Sequence, residues 1–519
     1  MNTPSRRRVV ALTATITATL ITTSCGGGGE GDRPRTVARV VGPFEIHSLE
    51  PTASSGLFTR LEVAETLVSS DVEGTLAPGL ATTWRPSADK LTWTFGLVDG
   101  ASFHDGTPVD AGSVARSLTK TAADAASPLA SAPIKAIAPV GEDLTISLTT
   151  PDPTVPALLT HYSAGILAPS SYDGEGRVTK VVGSGPFEIS QLELPSSITT
   201  RRFADYRGAK PAIEGVEFSV VGRAETRAVM AASGQADVVF GLEPAGRQRV
   251  DAAEGVSMAS ALQPRTVLLK INDAHPALKD IRVRHALSLM LDRERIAEAV
   301  LRERDLAATQ LFPPALATWN QPNLEPLTQD VERARALLAE AGFNRSADGT
   351  TLEREGKPLR LTLTTYPDRP ELPPLATAIQ EAARAVGITI DVAVGNSSEI
   401  PAKHADGTLE LALLTKHFAL VSDPYVSIAE TFAPGGAEWG VMNWEDPALT
   451  AALSTVAQQP TGPAADAARR EVASIIQEQL PVVPVAWYRF NAAVSDRLDG
   501  FVIDPIEHSW RLSETRWAP

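Results

Sequence analysis

The stretch SFHDGTPVDAGSVARSL, residues 102–118, is the first part of the sequence whose residue types could perform chemistry. His104 stands beside Asp105, and Asp110 follows five residues later. Imidazole and carboxylate groups can bind a metal or exchange protons, but the same residues also build turns and helix caps. In this second interpretation, Asp105 and Gly106 form a turn, Asp110 caps a helix and His104 packs beside the turn. We favour the second interpretation.

The sequence contains none of the motifs that mark the common enzyme classes. It has no G-x-S-x-G nucleophile elbow, no phosphate-binding loop and no H-E-x-x-H zinc motif. Of the eight histidines, only His275 and His285 lie within a dozen residues of each other. The single cysteine, Cys25, excludes disulfides and C-x-x-C zinc sites. We therefore predict a protein that is not an enzyme, with no cofactor and no metal site of its own.

The amino terminus has the pattern of an export signal. Three arginines at 6–8 precede an apolar and threonine-rich stretch at 9–21, which is too short to cross a bilayer core of about 30 Å. Cys25 follows at the expected cleavage position, similar to a bacterial lipobox, although Thr22 replaces the usual leucine-like residue. We predict a signal peptide over 1–24 and lipidation of Cys25, by either the general or the twin-arginine export route. An ordinary signal peptide with an accidental cysteine is the alternative.

Composition indicates an exported globular body on a tether. The glycine-rich segment 25–36 would hold this body away from a membrane surface. The net charge is −15, and removing the three positive charges of the signal lowers it to −18. This excess of acid argues against nucleic acid or a polybasic membrane surface as a partner. No later segment offers 18 consecutive apolar residues, so we expect membrane attachment through the lipid alone.

The elements that must position these side chains alternate between strands and helices. Two-residue alternation predicts strands over 91–97 and 144–150. Apolar residues at three- and four-residue steps predict one helix over 281–301 and another after Asp330. A strand, a helix and a second strand follow one another over 359–394. Parallel strands joined in this way place ligand clefts at the carboxyl ends of the strands, so we predict an α/β fold with such a cleft.

Several motifs, in their order along the chain, resemble those of the peptide/nickel-type solute-binding proteins of ABC importers, solute-binding protein family 5. They are LAPGLATTWRPSADKLTWTFGLVDGASFHDGTPVDAGSVARSL (76–118), VVGSGPFEI (181–189), ADYRGAKPAIEGVEFSVV (204–221), SGQADVVFG (233–241), LLKINDAHPALKDIRVRHALSLMLDRERI (268–296) and ARALLAEAGF (334–343). One departure is Arg207, which stands where the family usually has tryptophan. The resemblance extends over about residues 40 to 510.

The resemblance implies a type II periplasmic-binding-protein fold, bilobal, with three sub-domains and a hinged ligand cleft. Lobe I would comprise residues 37–70, 184–272 and 485–519, lobe II residues 71–183, and lobe III residues 273–484. Chain crossings near 267–272 and 482–488 would form the hinge. A ligand that contacts both sides of the cleft favours the closed state, which a membrane permease would then recognise.

The ligand class stays open between two branches of the family. In the peptide branch, an aspartate four residues before a proline binds the α-amino group, but here Leu420 stands four residues before Pro424, with Asp423 adjacent to the proline. The nickel-chelate branch uses an arginine near the segment ending here in LAPSS. This chain has Tyr162 and Gly165 in that region and no arginine. An oligopeptide, a dipeptide and a nickel-type metal chelate therefore all remain possible ligands.

Candidate ligand-binding residues come from loops that the resemblance places around the cleft. They are Phe58, Tyr162, Tyr366, His417, Phe418, Ser422, Asp423 and His508. Aromatic side chains among them could stack on amides or cations of a ligand. For each residue, a place in the core or a hydrogen bond within the protein is the competing interpretation.

Together these features predict a monomeric substrate-binding lipoprotein on the outer face of a bacterial membrane. Its partners would be a small solute, the permease subunits of an ABC importer with their cytoplasmic ATPases, and the membrane through the lipid anchor. One alternative is a secreted hydrolase on the same architecture, which turnover of ester, peptide or glycoside substrates would reveal. The other is a solute receptor for signalling without import, against which neighbouring permease and ATPase genes would argue.

We expect Cys25→Ala to release the protein from membranes into the medium, because the substitution removes the thiol that would carry the lipid. Immunoblotting of membrane and medium fractions measures this, with Ser24→Ala as the matched control. A Cys25→Ala protein that stays on the membrane would show that lipidation is not its anchor.

Overall fold

The computed structural model describes residues 36–54, 56–347, 349 and 351–519, and Thr36–Pro519 is one compact unit. The predicted signal peptide, Cys25 and the tether before residue 36 lie outside the described residues. Within the described ranges, no helix has the length and apolar character needed to cross a membrane.

Strands and helices alternate along the chain, as its apolar patterning predicts. The strands are β1 Val37–Gly42, β2 Val68–Ser70, β3 Leu76–Pro78, β4 Ala81–Pro86, β5 Thr92–Leu97, β6 Ile134–Val140, β7 Asp143–Leu148, β8 Phe187–Glu193, β9 Ser197–Arg202, β10 Gly215–Val220, β11 Val238–Phe240, β12 Val256–Ile271, β13 Asn344–Arg345, β14 Leu352–Arg354, β15 Lys357–Pro358, β16 Arg360–Thr365, β17 Thr389–Val394, β18 Leu411–His417, β19 Val482–Ser495, β20 Leu498–Asp499 and β21 Arg516–Trp517. The α-helices are α1 Leu57–Arg60, α2 Ala111–Ala122, α3 Val155–Leu158, α4 Ala224–Ala232, α5 Pro244–Asp251, α6 Ile281–Leu289, α7 Arg293–Ile296, α8 Val331–Glu340, α9 Leu372–Val386, α10 Glu399–Ala405, α11 Pro424–Thr431, α12 Pro447–Gln458 and α13 Pro463–Gln479.

A ten-stranded mixed sheet forms the frame of the molecule, in the order β17-β16-β18-β12-β19-β11-β1-β10-β9-β8. At its centre, β12 and β19 pair antiparallel over most of their 16 and 14 residues. The segments predicted as chain crossings, 267–272 and 482–488, lie in or directly after β12 and in β19, and their role as a hinge stays a prediction. A separate four-stranded antiparallel sheet has the order β4-β5-β7-β6.

Three large hydrophobic clusters fill the space around these sheets. The first packs α6, α8 and α9 on β12, β16 and β18, with Leu287 and Ile379 fully buried. The second surrounds β1, β10 and β11, where the rings of Phe240 and Trp510 stack at 4.8 Å between centroids. The third lies between α2 and the four-stranded sheet and includes Phe95. The boundaries of the three lobes stay a prediction.

Most of the elements expected from periodicity are confirmed, with one exception. Strands β5 and β7, helix α8 and the parallel pair β16–β17 joined by α9 all lie where the sequence predicts them. The single helix predicted over 281–301 is wrong, because α6 ends at Leu289 and α7 starts at Arg293. Between them, the Asp292 carboxylate accepts a hydrogen bond from the backbone N–H of Arg295 at 3.0 Å. This cap starts a new helix where the apolar periodicity alone runs on.

Residues 102–118 form a turn followed by a capped helix, which confirms the structural interpretation of His104, Asp105 and Asp110. Asp105 Oδ1 accepts hydrogen bonds from the backbone N–H and hydroxyl of Thr107, and Gly106 has φ 80°. Asp110 and Ser113 form a reciprocal capping box at the start of α2. His104 packs edge-on against the Phe203 ring, 4.9 Å between centroids. Asp105, Asp110 and His104 therefore stabilise the local fold.

Asp110→Ala should lower the free energy of unfolding by about 1 kcal/mol, because it leaves the first amide groups of α2 uncapped. Urea unfolding followed by circular dichroism measures the change. The matched control is Asp99→Ala, which removes an exposed aspartate from a turn. Equal midpoints for the two variants would show that the cap contributes nothing.

Candidate functional site

A cavity of about 1120 Å³ lies beside the two central strands. Arg265 of β12 and Tyr488 of β19 belong to its wall. The loops that follow β1 and β16 supply further lining residues, over 43–47 and 366–371. The cavity therefore opens at the carboxyl ends of parallel strands, where ligand clefts form in α/β proteins.

One buried carboxylate holds two arginines in this wall. Glu507 Oε2 accepts a hydrogen bond from Arg60 Nη2 at 2.7 Å, and Glu507 Oε1 accepts from Arg265 Nη2 at 2.8 Å. Gln263 Nε2 also donates to Oε1, at 2.8 Å. Burial alone would raise the pKa of Glu507, but the guanidinium groups of Arg265, Arg60 and Arg369 hold it well below its ordinary value. Glu507 is therefore charged at neutral pH.

A third guanidinium in the wall has no carboxylate partner. Arg369 Nη1 donates to the Tyr488 hydroxyl at 3.1 Å, and the guanidinium carbon lies 5.4 Å from the centre of that ring. Arg265 lies over the same ring at 5.2 Å. Among the described residues, no carboxylate oxygen is within 4.0 Å of an Arg369 nitrogen. Burial opposes the charge of Arg369, but Tyr488 and Glu507 outweigh it and raise the pKa.

Aromatic side chains form much of the remaining wall. Tyr366 and Trp439 meet edge to face, 6.2 Å between centroids. Lys270, a buried residue of β12, fixes the loop that carries Trp439. Its Nζ donates to the carbonyl oxygens of Ala437 at 2.8 Å and Glu438 at 2.7 Å. The wall thus combines flat rings with six arginines and six carboxylates.

Two of the sequence-predicted site residues, Tyr162 and Tyr366, line this cavity. Phe58 and Phe418 do not, because their side chains are 2% and 0% exposed within the hydrophobic core. Phe58 in α1 and Phe418 after β18 are thus used for packing.

The four other predicted site residues make hydrogen bonds within the protein and are not among the cavity's lining residues. His417 Nδ1 accepts from the Ala419 N–H at 3.1 Å, and His508 Nε2 lies 2.7 Å from the Leu420 carbonyl oxygen. Ser422 and Asp423 are bound to Thr160 Oγ1 and to the Tyr425 N–H, respectively. A role for any of these residues in ligand binding stays a prediction.

The charged residues of the wall were missed by the sequence interpretation. Arg369 stands three residues after Tyr366 in the same loop, and only the tyrosine was singled out. Arg265 begins the apolar run RTVLLKI of a buried strand, where an arginine is unusual. A charged residue in an otherwise apolar strand was the sequence feature that could have identified Arg265. No sequence feature identified Glu507.

In the part of the chain that the structure describes, no three His, Cys, Asp or Glu side chains are grouped so that they could hold a metal ion. The cavity wall offers guanidinium groups, aromatic rings and carboxylates. This set of groups can bind an organic ion by charge and stacking.

The sequence is similar to a family of bacterial binding proteins along most of its length. Residues 75–439 match the profile of the bacterial extracellular solute-binding proteins, family 5 Middle. The chain is 25% identical over 482 residues to the nickel-binding periplasmic protein of Escherichia coli (strain K12), covering 90% of this chain and 91% of that one. It is 24% identical over 462 residues to the dipeptide-binding protein of the same strain, covering 83% and 84%.

Solved structures share the whole architecture. NikA from Brucella suis in complex with Fe(III)-EDTA superposes with a TM-score of 0.83 at 22% identity, covering 93% of this chain and 99% of that one. The oligopeptide-binding protein AppA from Bacillus subtilis in complex with a nonapeptide gives 0.76 at 17% identity, covering 94% and 100%. The chain therefore has the α/β, bilobal type II fold of periplasmic binding proteins.

The buried His161, next to the cavity residue Tyr162, makes the free energy of unfolding depend on pH. The rings of His161 and Tyr162 are 4.0 Å apart, and His161 Nδ1 accepts a hydrogen bond from the Ser163 N–H at 3.3 Å. Burial lowers the pKa of His161 to about 3. Below pH 6.5 the unfolded chain binds a proton at this ring that the folded chain does not bind, so stability falls with the pH. At pH 4.5 the loss from this ring is about 2 to 3 kcal/mol.

His161→Asn should therefore flatten the fall in unfolding free energy between pH 7 and pH 4.5, since asparagine keeps an acceptor near Nδ1 and does not titrate. Urea unfolding at four pH values measures the slope. His47→Asn, at an exposed position, is the control and should leave the slope as in the parent. An unchanged slope in His161→Asn would contradict the burial of a neutral ring.

Proposed function

The chain belongs to the bacterial extracellular solute-binding proteins of family 5, and we propose that it is the substrate-binding lipoprotein of an ABC importer. In this proposal it captures a small solute with an anionic group, either a di- or oligopeptide or a nickel-type metal chelate. Relatives named as nickel-binding and dipeptide-binding proteins support both ligand classes.

The observation that carries this proposal is the Arg369 guanidinium, which faces a large cavity without a carboxylate partner. A guanidinium binds a carboxylate through two parallel hydrogen bonds, and its fork geometry is fixed before the ligand arrives. Arg265 lies over the same Tyr488 ring and adds a second positive charge. A ligand carboxylate bound here would exchange water for the Arg369 guanidinium, within the positive potential of Arg265.

Ligand binding would be coupled to closure of the cleft. Arg369 belongs to the predicted lobe III, Tyr162 to lobe II and Arg60 to lobe I, and all three line the same cavity. A ligand touching these residues gains contacts in the closed state that the open state does not offer, and this difference shifts the equilibrium. In the described structure Ser422 Oγ and Thr160 Oγ1 are 3.2 Å apart, so predicted lobes II and III are in contact there.

The protein would be anchored to the membrane and would deliver its solute to the permease. Lipidation of Cys25 would hold the protein on the outer face of the membrane, close to the permease subunits that accept the ligand. The acidic body of the chain then acts as a soluble monomer on a short tether. No chemical step on the solute is needed, since capture and release alone perform the task.

Arg369→Ala should lower the affinity for the anionic ligand about 30-fold or more, because it removes one partner of a partly buried ion pair worth about 2 kcal/mol or more. Thermal-shift and calorimetric titrations would use two probes, a di- to pentapeptide mixture and Ni(II)–histidine. Arg369→Lys should keep part of the affinity, because it keeps the charge but not the fork.

Arg470→Ala, at an exposed position on α13, is the matched control and should bind like the parent. Absence of any thermal shift with both probes at millimolar concentration would refute the proposed function. Full affinity in Arg369→Ala would refute the role of this arginine.

A further inference from the structure

A fully buried lysine stands in the central strand β12. Lys270 is 0% exposed, and its neighbours across the sheet are Ala412 of β18 and Val482 of β19. Burial and the nearby charge of Lys416 lower the pKa of Lys270 to about 7. Lysine is almost never fully buried unless its amino group has partners, so the contacts of Nζ indicate what this residue does.

The Lys270 amino group binds a turn of the chain that borders the cavity. Its Nζ donates to the carbonyl oxygens of Ala437 at 2.8 Å and Glu438 at 2.7 Å, and it lies 2.9 Å from His404 Nδ1. A lysine amino group carries two hydrogens when neutral and three when charged, so both carbonyl bonds persist in either state. Lys270 therefore ties the turn 437–440 to the central strand.

The segment that follows this turn is bound to the end of the same strand. The Met442 carbonyl oxygen accepts a hydrogen bond from the Asp273 N–H at 3.0 Å, and Asp273 stands two residues after β12. Lys270 instead bonds to the carbonyl oxygen of the residue directly before Trp439. Of these two attachments, Lys270 is the one next to Trp439 in the chain.

The Trp439 indole is the part of this turn that a ligand can reach. It is partly exposed and lines the cavity, and its ring meets Tyr366 edge to face. An indole face can stack on a planar group such as a peptide bond or an imidazole ring. Stacking depends on the distance and the orientation of the rings, so a displaced turn would weaken it.

We propose that Trp439 binds the ligand and that Lys270 is the positioning residue that holds its indole in the cavity wall. This inference rests on the proposed function and adds two residues on which its affinity depends. Lys270 is not among the lining residues and acts through Trp439. The planar group on the ligand is a peptide bond in one proposed ligand class and a histidine imidazole in the other.

The first measurement needs no ligand. Protein labelled with 5-fluorotryptophan gives a fluorine NMR resonance for Trp439, which Trp439→Phe identifies by its absence. Lys270→Met should shift or broaden this resonance, because methionine fills the space but donates no hydrogen bond. The resonances of Trp93 and Trp510, which pack in other clusters, should not move. Lys279→Met, at an exposed position before α6, is the matched control.

His404→Ala is the second variant, because it removes one contact of Nζ from a partly exposed position on α10. It should move the Trp439 resonance in the same direction as Lys270→Met, but by less. It takes the place of Lys270→Met in both measurements if that variant does not fold. A Trp439 resonance that stays unchanged in these variants would overturn the inference, whether or not a ligand binds.

The second measurement is a double-mutant cycle on ligand affinity. The probes are a di- to pentapeptide mixture and Ni(II)–histidine, titrated by thermal shift and calorimetry. With a probe that binds the parent, Trp439→Ala and Lys270→Met should each lower the affinity about fivefold or more. In the Trp439→Ala background, Lys270→Met should change the affinity less than about twofold, because no indole is left to position.

Three results would overturn the inference while leaving the proposed function in place. They are parent affinity in Lys270→Met, parent affinity in Trp439→Ala, and an equal loss from Lys270→Met in both backgrounds, which would show that Lys270 acts on the fold alone. If neither probe binds the parent, the proposed function fails together with the inference.

Discussion

The buried carboxylate of Glu507 organises the centre of this molecule. It holds Arg60, which is 447 residues away in the sequence, and Arg265, which is 242 residues away. The first helix, a central strand and the carboxyl-terminal segment are therefore joined at one point. Glu507 has φ 60°, a left-handed conformation that costs a residue with a side chain about 1 to 2 kcal/mol. Removing the carboxylate would leave two buried guanidinium groups uncompensated, which costs several kcal/mol.

This ion cluster also determines which charges are left for a ligand. Arg60 donates to Glu507 from Nε and Nη2, and Arg265 donates to it from Nη2, so their contribution to the cavity is mainly a positive potential. Arg369 stands outside the cluster, donates to the Tyr488 hydroxyl and lines the cavity, so it can still bind an anionic group. The cavity wall thus contains arginines that are paired with Glu507 and an arginine, Arg369, whose hydrogen bond goes to the Tyr488 hydroxyl.

The fold could be predicted from the sequence to a much greater extent than the site. Caps such as Asp110 and Asp330, and helices such as α9, depend on neighbours within a few residues, and these neighbours are visible in the sequence. The break between α6 and α7 at Asp292 could not be predicted, because the apolar periodicity continues across it. The cavity wall joins residues hundreds of positions apart, and residue type does not separate Phe58 in the core from Tyr162 in the wall. The family resemblance identified loops that surround the cavity, but it did not identify which of their side chains line it.

The pairing of β12 with β19 has a mechanical consequence. Two hydrogen-bonded strands resist sliding and stretching more than bending out of their plane, so in the proposed closure of the cleft this ribbon would be the part of the sheet that bends. The ladder is irregular between Leu262 and Thr266, which is where the ribbon has fewest bonds to resist bending. Arg265 lies within this irregular segment. The cavity wall therefore includes the segment at which the ladder between these two strands is interrupted.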